Sequence, residues 1–198
     1  GKPRIISCCE DYAKHLGLPR GCLDELLDLL KVHRIKAPID DQRLAGAPIA
    51  VAFHGNLRPE QQQAADALLR HDTGVLAAST AFGKTVVGAY LIAQRKVNTL
   101  VIVHRRQLLD QWVAALGQFL GLVPQEIGQI GGGKHKPTGR LDVAMIQSLS
   151  QDGVVDDIVG NYDYVIVDEC HHVSAISFDR AREKATGSRG RSPSRSSA

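Results

Sequence analysis

Two short clusters in this chain contain residue types that can handle phosphate groups and a divalent cation. The first is Gly83-Lys84-Thr85, within the stretch VLAASTAFGKTVVGAY. A turn of this kind between a strand and a helix offers backbone N–H groups and an ammonium to phosphate oxygens, and a hydroxyl to magnesium. Ala78 stands where the usual G-x-x-x-x-G-K-T pattern begins with glycine. Because alanine obstructs a close backbone approach least after glycine, we predict that the loop still binds a nucleotide phosphate.

The second cluster is Asp168-Glu169, which follows the apolar run VIV. A carboxylate at the carboxyl end of a buried strand lies where an open α/β sheet builds its ligand site. There Asp168 is suited to holding magnesium and Glu169 to orienting an attacking water. One alternative is an acidic turn followed by packing or surface residues. Another is a metal site made by Cys170, His171 and His172. We disfavour this site because consecutive side chains point in different directions.

Alternating apolar strands and helices are predicted to position both clusters. The predicted strands are GVLAAS, TLVIVH, LDVAMI and YDYVIVDE, and the predicted helices are RPEQQQAADALLRH, KTVVGAYLIAQR, RRQLLDQWVAALGQFLG and a shorter VVDDIVG. Continuous apolar strands alternating with helices indicate an α/β fold with a mainly parallel sheet covered on both faces. Trp112 lies on the apolar face of its helix, so we expect it to pack in the core rather than to stack on a base.

The pattern divides the chain into three regions. Residues 1–52 are predicted to form a small α+β unit, with strands RIISCC, IKAPIDDQRL and PIAVAFHG and an amphipathic helix CLDELLDLLKVH. Residues 53–178 carry the strand–helix alternation. Residues 179–198 contain no leucine, isoleucine, valine or aromatic residue, and we predict that they are disordered.

Composition narrows the class of protein. The net charge of +3 arises in the tail from Asp179 onward, which has six basic and two acidic residues. The rest of the chain is close to neutral, so the net charge is weak evidence for a nucleic-acid surface. We find no apolar run of the ~18 residues that a membrane span needs. Four cysteines without a C-x-x-C motif favour a reduced, cytoplasmic setting. Zinc ligation by Cys9, His15 and Cys22 fits no familiar spacing.

Five motifs in order along the chain carry a family resemblance. The stretches LRPEQQQA, ASTAFGKT, VIVHRRQLLDQW, AMIQSL and VDECHH resemble the first RecA-like lobe of superfamily-two helicases with a DExH-type box, in particular XPB-like and restriction-subunit-like bacterial ATPases. Some helicases of conflict systems share the A-F-G-K-T form. The resemblance implies a P-loop NTPase lobe that uses ATP and Mg²⁺ to remodel nucleic acid. It favours DNA over RNA and leaves the choice between them open. It also implies restriction or defence-system components as partners.

The resemblance further implies roles for individual residues. Those that bind ATP would be Gln61, which reads adenine, then Thr80, Ala81, Phe82, Gly83, Lys84, Thr85 and the nucleotide-sensing His171. Catalysis would rest on Lys84, Asp168 and Glu169, with Thr85 and Asp168 as the Mg²⁺ ligands. The nucleic-acid contacts would be His104, Arg105, Arg106, Gln147 and Ser148, beside a phosphate-approach turn at Gly131 to Gly133. Arg105 and Arg106 have an alternative reading as ordinary charges at a helix start.

Two features of the family are missing from this sequence. A Ser/Thr-Ala-Thr motif and a second RecA-like lobe with an arginine finger follow the acidic box in the family, and neither is found here. We therefore interpret the chain as truncated, with a frame shift near Ala181 to Gly187. The first hypothesis is the ATP-binding lobe of a DNA helicase or translocase. The alternative is a catalytically inert nucleotide- or nucleic-acid-binding module, while the ordered VHRRQLL and QSL motifs disfavour a small-molecule kinase.

Overall fold

The computed structural model describes residues 10–11, 16–17, 22–38, 46–151, 154–155 and 157–170. Contacts divide the chain into two compact units, Gly1–Asp41 and Gln42–Ala198. The division falls before the boundary predicted after residue 52, because Ile49 and Val51 pack in the core of the second unit. The predicted strand RIISCC and the predicted disordered tail lie outside the described residues.

The described residues of the first unit form two short paired strands and a helix. Strand β1 (Glu10–Asp11) pairs antiparallel with β2 (Leu16–Gly17), and helix α1 covers Leu23–Val32 as the leucine spacing predicts. The two strands predicted after this helix are wrong wherever the structure describes them. Residues 35–38 form no strand, and PIAVAFHG makes only an isolated bridge from Pro48 to Val97. Prolines remove donors from a strand ladder, which the sequence pattern of apolar residues does not register.

The second unit has helices on a five-stranded sheet. Its helices are α2 (Pro59–Leu69), α3 (Lys84–Arg95) and α4 (Arg106–Leu120). The sheet contains β3 (Thr99–Val103), β4 (Gly128–Gly131), β5 (Lys134–Lys136), β6 (Leu141–Met145) and β9 (Tyr164–Val167). Between the last two, β7 (Ser150–Gln151) and β8 (Val154–Val155) form a separate antiparallel hairpin.

The strand order of the sheet is β5-β4-β6-β3-β9. All neighbouring pairs are parallel except β4 with β5, which confirms the predicted mainly parallel sheet. In the register of β3, Val103 lies opposite Met145 of β6, and Ile102 lies opposite Val167 of β9. The carboxyl ends of these three strands therefore meet at one edge of the sheet, directly before His104 and Asp168.

Apolar clusters cover both faces of the sheet. On one face, helices α3 and α4 pack against alternate residues of β3 and β6, including Val101, Val103 and Val143. On the other face, Leu100 and Ile102 of β3 pack with a cluster that includes Ile130, Ala144, Leu149, Val159 and Tyr162. All five residues of β3 are buried, as expected for a central parallel strand.

Two predicted elements around the sheet are wrong. GVLAAS forms no strand, and Val75 within it is 81% exposed. In the described part of the chain, β9 is a terminal strand of the sheet and pairs with β3 alone, and residues 74–79 form no ladder with it. The predicted helix VVDDIVG instead gives β8 and a 3₁₀ helix over Asp157–Asn161. Its β-branched valines favour the extended conformation. No described helix is both long enough and apolar enough to cross a membrane.

Candidate nucleotide site

The predicted phosphate loop, residues 78–85, depends on Gly83. A 3₁₀ turn over Thr80–Phe82 leads into Gly83, which has a left-handed φ of +82° and precedes α3. The left-handed φ favours glycine, and a Cβ at this position would lie 2.6 Å from the side-chain nitrogen of Gln61 and displace that amide. The N–H groups of Lys84 and Thr85 belong to the first turn of α3, where they have no partner within the helix. Such a helix start is suited to binding an anion.

Ala78 is accommodated without strain at the position where the usual motif has glycine. Among the described residues other than glycine, only Arg34, Lys96 and Glu169 have a positive φ. Ala78 therefore has a backbone conformation that any L-residue adopts readily. Its carbonyl oxygen accepts a hydrogen bond from Lys84 Nζ at 3.2 Å. The loop thus uses the backbone of residue 78 and does not need a glycine there.

An ion pair joins the loop to the acidic cluster. Lys84 Nζ lies 3.7 Å from Glu169 Oε1, and both side chains are partly accessible, at 29% and 25%. Glu169 has a φ of +54°, a left-handed conformation that costs a non-glycine residue roughly 1–2 kcal/mol. Strained residues of this kind cluster at functional sites, where the surrounding structure holds them in place. Two of the three predicted catalytic side chains are therefore brought together from positions far apart in the sequence.

Asp168 is held at the end of β9 by two hydrogen bonds. Its N–H donates to the carbonyl oxygen of Ile102 at 2.9 Å, which extends the parallel ladder by one residue. Its Oδ2 accepts a hydrogen bond from Trp112 Nε1 at 2.8 Å. Trp112 is 2% exposed and packs in the core, as its helical spacing predicts, but the bond to Asp168 was not predicted. Helical periodicity shows which face of α4 is buried, not which distant carboxylate that face meets.

Gln61 ties the start of α2 to the loop. It is 5% exposed, and its Oε1 accepts a hydrogen bond from the backbone N–H of Arg58 at 2.9 Å. Its Nε2 donates to the carbonyl oxygen of Phe82 at 2.7 Å, and Arg58 Nη2 donates to the same oxygen at 2.6 Å. Both ends of the amide therefore contact backbone, in a capping arrangement that also fixes the phosphate loop. The reading of adenine by Gln61 stays a prediction.

The predicted nucleic-acid contacts begin at the start of α4. Arg105 is the exposed N-cap residue of this helix and Arg106 its first residue. The Arg106 guanidinium donates to the Asp110 carboxylate at 3.1 Å and also to the carbonyl oxygen of Gly132. The glycine-rich turn thus lies against Arg106. Both interpretations of Arg106, as a helix-start charge and as a strand contact, are compatible with this position.

The remaining predicted contacts meet at the same edge of the sheet. Gln147 Nε2 donates to the carbonyl oxygen of His104 at 2.9 Å, which joins the ends of β3 and β6. Ser148 is half-buried, and a Cβ at Gly131 would lie 2.8 Å from its Oγ. The structure therefore places the five predicted nucleic-acid residues along one edge, beside the carboxyl ends of the parallel strands. Their contact with nucleic acid stays a prediction.

Four predicted nucleotide contacts are Thr80, Ala81, Phe82 and His171, and the structure describes the first three. Ala81 is exposed in the 3₁₀ turn, where Thr80 also lies, and Phe82 packs against the small cluster of Ala65, Val87 and Leu91. His171 lies outside the described residues, as do Cys9 and His15 of the zinc alternative. In the part of the chain that the structure describes, no group of three or more His, Cys, Asp or Glu side chains gathers as a metal site.

The donors that are present fit a magnesium–nucleotide complex. Mg²⁺ in nucleotide-using enzymes takes only one or two protein oxygens and fills its other positions with phosphate and water. The Asp168 carboxylate, and the half-buried Thr85 at the first turn of α3, match that small number. Lys84 adds a positive charge beside the helix start that would face the phosphates.

Comparison with known proteins decides the family. Residues 54–187 match the family described as type III restriction enzyme, res subunit. The chain belongs to this family. It is the first RecA-like lobe of a superfamily-two helicase, as the order of its motifs implies.

Individual relatives agree with this assignment. A Rad25 protein of Halobacterium salinarum is 34% identical over 140 residues, which are 69% of this chain and 23% of the relative. The DNA 3'-5' translocase XPB2 of Sulfurisphaera tokodaii is 30% identical over 122 residues, which are 62% of this chain and 26% of the relative. The chain therefore spans about a quarter of the length of these two relatives.

A solved structure shows the same fold. The UvsW helicase from bacteriophage T4 superposes with a TM-score of 0.65 at 19% identity, covering 88% of this chain and 70% of that one. The mainly parallel sheet flanked by helices thus has the fold of the RecA-like lobe in that structure.

Proposed function

We propose that this chain is the ATP-binding lobe of a DNA helicase or translocase, and that it binds Mg²⁺–ATP between the phosphate loop and the acidic cluster. The observation that carries the proposal is the approach of Lys84 Nζ to Glu169 Oε1 at 3.7 Å, with Asp168 beside them at the end of β9. The family match and the names of the relatives support ATP-dependent work on nucleic acid. Match to a restriction-enzyme subunit also supports partners from a restriction or defence system.

Each side chain has a distinct task in this proposal. The turn at Gly83 and the start of α3 hold the phosphates, and Lys84 exchanges its contact with Glu169 for one with a phosphate oxygen. Asp168 and Thr85 hold the cation, which when bound offsets the negative charge of the phosphates. Glu169, released from Lys84, orients the attacking water.

The nucleic acid is proposed to lie along the edge that carries Arg105, Arg106 and Gln147. Contacts of this kind, from arginine, amide and backbone N–H groups, hold phosphates and give no sequence specificity. DNA is the nucleic acid we propose, because XPB2 is named as a DNA translocase. A nucleotide-binding module without hydrolysis is the alternative, and the experiment below separates the two.

The proposal is tested by the binding of Mg²⁺–ATP and by its hydrolysis, with and without single-stranded DNA. Lys84→Ala should weaken binding at least ~10-fold, which is about 1.4 kcal/mol. Glu169→Gln should retain binding and lose turnover. Lys136→Ala is the matched control, because it removes the same charge from the exposed edge strand β5.

The outcomes separate the hypotheses cleanly. Binding that requires Lys84, together with turnover that requires Glu169, would establish an ATPase. Binding that requires Lys84 without any turnover would favour the inert module. Equal binding by the Lys84→Ala and Lys136→Ala variants would contradict nucleotide binding at this loop altogether.

A further inference from the structure

Trp112 is the single tryptophan of the chain, and it makes a contact that core packing does not explain. It lies on α4 and is 2% exposed, so its ring is almost wholly removed from water. Its one polar atom, Nε1, lies 2.8 Å from Oδ2 of Asp168, which is 56 positions away in the sequence. A buried indole N–H usually finds a partner, and here that partner is the carboxylate at the end of β9.

The opposite edge of the same ring lies against the helix that follows the phosphate loop. A Cβ at Gly88 of α3 would lie 2.5 Å from Trp112 Cη2, which is too close for any side chain. Gly88 is therefore the residue that lets the indole approach α3. The ring fills the space between the phosphate-loop helix and Asp168 and touches both.

The chemistry of this contact suits the positioning of a metal ligand. An indole N–H can only donate a hydrogen bond, and it carries no charge that would repel a cation. The carboxyl group of an aspartate rotates easily about its last torsion, which has broad minima. A donor fixed to Oδ2 by a packed ring restricts that rotation and leaves Oδ1 for a cation. Hydrogen bonds of this kind orient ligating carboxylates in many metal sites.

We infer that Trp112 is a positioning residue for Asp168, and that it sets the Mg²⁺ requirement of nucleotide binding. This inference rests on the proposed function, in which Asp168 holds the cation. Trp112 touches neither the nucleotide nor the cation in this assignment. It acts through the orientation of the Asp168 carboxylate. The close packing of the indole ring against Gly88 holds the ring in place.

The first experiment uses the unchanged 198-residue chain. Because Trp112 is the only tryptophan, its fluorescence reports on one site. Mg²⁺ is titrated into the chain with saturating ADP, and the emission is compared with Mg²⁺-dependent ADP binding measured by calorimetry. We expect the emission to change with the same midpoint as the calorimetric signal. Asp168→Asn should abolish the Mg²⁺-dependent change in emission.

The second experiment uses a matched pair of core variants on α4. Trp112→Phe keeps an aromatic ring in the core but removes the N–H donor. Leu116→Val trims the same core, in which Leu116 is fully buried, without touching Asp168. We expect Trp112→Phe to raise the Mg²⁺ midpoint for ADP binding about 10-fold, the usual effect of losing such a hydrogen bond. ADP binding in EDTA should be unchanged, and Leu116→Val should keep the wild-type midpoint.

Three results would overturn the inference without affecting the proposed function, and a fourth would overturn both. A wild-type midpoint in folded Trp112→Phe would do so, as would equal shifts in both core variants, which would mean that packing alone matters. The inference would also be overturned if the Trp112 emission of the unchanged chain did not change with Mg²⁺ while calorimetry showed Mg²⁺-dependent ADP binding. That result would not affect the proposed function. Absence of ADP binding by the unchanged chain would overturn the proposed function together with this inference.

Discussion

The two ends of the parallel strands carry similar side chains in opposite environments. At the amino ends, Asp142 and Asn98 are buried, at 0% and 3% exposure. At the carboxyl ends, Asp168 and Glu169 are half-buried, and Glu169 makes an ion pair of 3.7 Å. The residue types are almost the same at the two ends, so the environment must decide which end is structural and which is available to a ligand.

At the amino ends, the hydrogen-bonding capacity of Asp142 is used within the protein. Its carboxylate accepts hydrogen bonds from the backbone N–H groups of Thr138 and Gly139, at 2.9 to 3.0 Å. It also accepts from the hydroxyl groups of Thr138 and Tyr162. A buried polar network that is fully satisfied makes its surroundings rigid. This carboxylate therefore has a structural role.

Asn98 joins three separate segments at the same end of the sheet. Its Oδ1 accepts from the N–H groups of Ala47 and Asp163, at 3.1 and 3.3 Å. Its Nδ2 donates to the carbonyl oxygen of Asn161. The amide thus connects the chain before α2, the start of β3 and the chain before β9.

At the carboxyl ends, by contrast, the acidic side chains stay partly accessible to solvent. Asp168 takes its side-chain hydrogen bond from Trp112 and keeps part of its surface accessible, and Glu169 holds a strained backbone. Sites at which a protein departs from the locally best arrangement are expected to be functional. A buried carboxylate whose hydrogen bonds are all made within the protein therefore indicates a structural role, whereas a partly exposed carboxylate beside a helix start indicates a ligand site.

The largest expected effect compares the two aspartates directly. Asp142→Ala leaves several buried donors without an acceptor, and should lower the free energy of unfolding by about 3 kcal/mol. Asp168→Ala removes a single partner from Trp112, and should cost only about 1 kcal/mol. Urea unfolding of both variants measures the difference. Equal losses would break the distinction between the two ends.

For the Mg²⁺ dependence of ADP binding, the order should be reversed, with the larger effect in Asp168→Ala. Folded Asp142→Ala is expected to bind ADP with the wild-type Mg²⁺ midpoint, whereas Asp168→Ala should lose the Mg²⁺ dependence. If Asp142→Ala changed the midpoint as much as Asp168→Ala, the amino ends of the strands would also have to contribute to the site.

The second prediction compares two amides. Asn98→Ala should cost about 2 kcal/mol of unfolding free energy, because buried backbone groups in two other segments lose their partners. Gln147→Ala breaks one exposed bond to His104 and should cost about 0.5 kcal/mol or less. Thermal melts followed by circular dichroism rank the two variants. A larger loss in Gln147→Ala would show that the edge bearing His104 is structural.

Much of the fold follows from the sequence because its signals are strong and local. Helices α2, α3 and α4 and strands β3, β6 and β9 were all predicted, since apolar spacing and helix-start residues such as Pro59 depend only on neighbours. The strand predicted at 74–79 was wrong because a strand also needs a neighbour, which the pattern of a single segment does not reveal. The predicted strand PIAVAFHG was wrong for the same reason, since only Pro48 within it forms a bridge.

The candidate site divides in the same way. The motif residues Lys84, Asp168 and Glu169 were found because their types and spacing within short stretches indicate phosphate and metal chemistry. The Trp112–Asp168 bond and the Asn98 network were not, because they join residues far apart in sequence. Contacts of this kind depend on the sheet register, which is set only when the strands pair.

The third prediction tests the loop at the carboxyl ends of the strands. Gly83→Ala meets both a φ of +82° and the side chain of Gln61, so it should cost roughly 1–2 kcal/mol and weaken nucleotide binding. Ala78→Gly restores the usual motif at a position with an ordinary backbone conformation. It should cost about 0.5 kcal/mol through added freedom in the unfolded chain, and leave ADP affinity within about 2-fold. Calorimetry and urea unfolding measure both effects.

Tighter ADP binding in Ala78→Gly by an order of magnitude would contradict the interpretation of Ala78 as neutral. It would show that the loop has lost function at this position. A tolerated Gly83→Ala would show instead that the left-handed turn is not the conformation that binds phosphate.

The smallest effect concerns Tyr162 at the amino ends. Burial, together with the hydrogen bond to Asp142 and the charge of that carboxylate, raises the pKa of Tyr162 well above its ordinary value. Below about pH 10 both the folded and the unfolded chain keep the phenol proton, so this group adds no pH dependence. Above it the unfolded chain loses the proton first, and stability should fall by at most about 1.4 kcal/mol per pH unit.

Tyr162→Phe should therefore be less stable than the wild type at neutral pH but should lose stability more slowly above about pH 10. The loss should be slower rather than absent, because burial also raises the pKa of Tyr164. Tyr90→Phe is the control, since that hydroxyl only accepts a bond from Gln62 at 3.2 Å and lies away from Asp142. Urea unfolding at about pH 8 and about pH 10.5 compares the slopes. If stability fell with pH as steeply in Tyr162→Phe as in the wild type, the Asp142 network would not hold the phenol proton of Tyr162. The buried hydrogen bonds at the amino ends of the strands would then be weaker than their distances indicate.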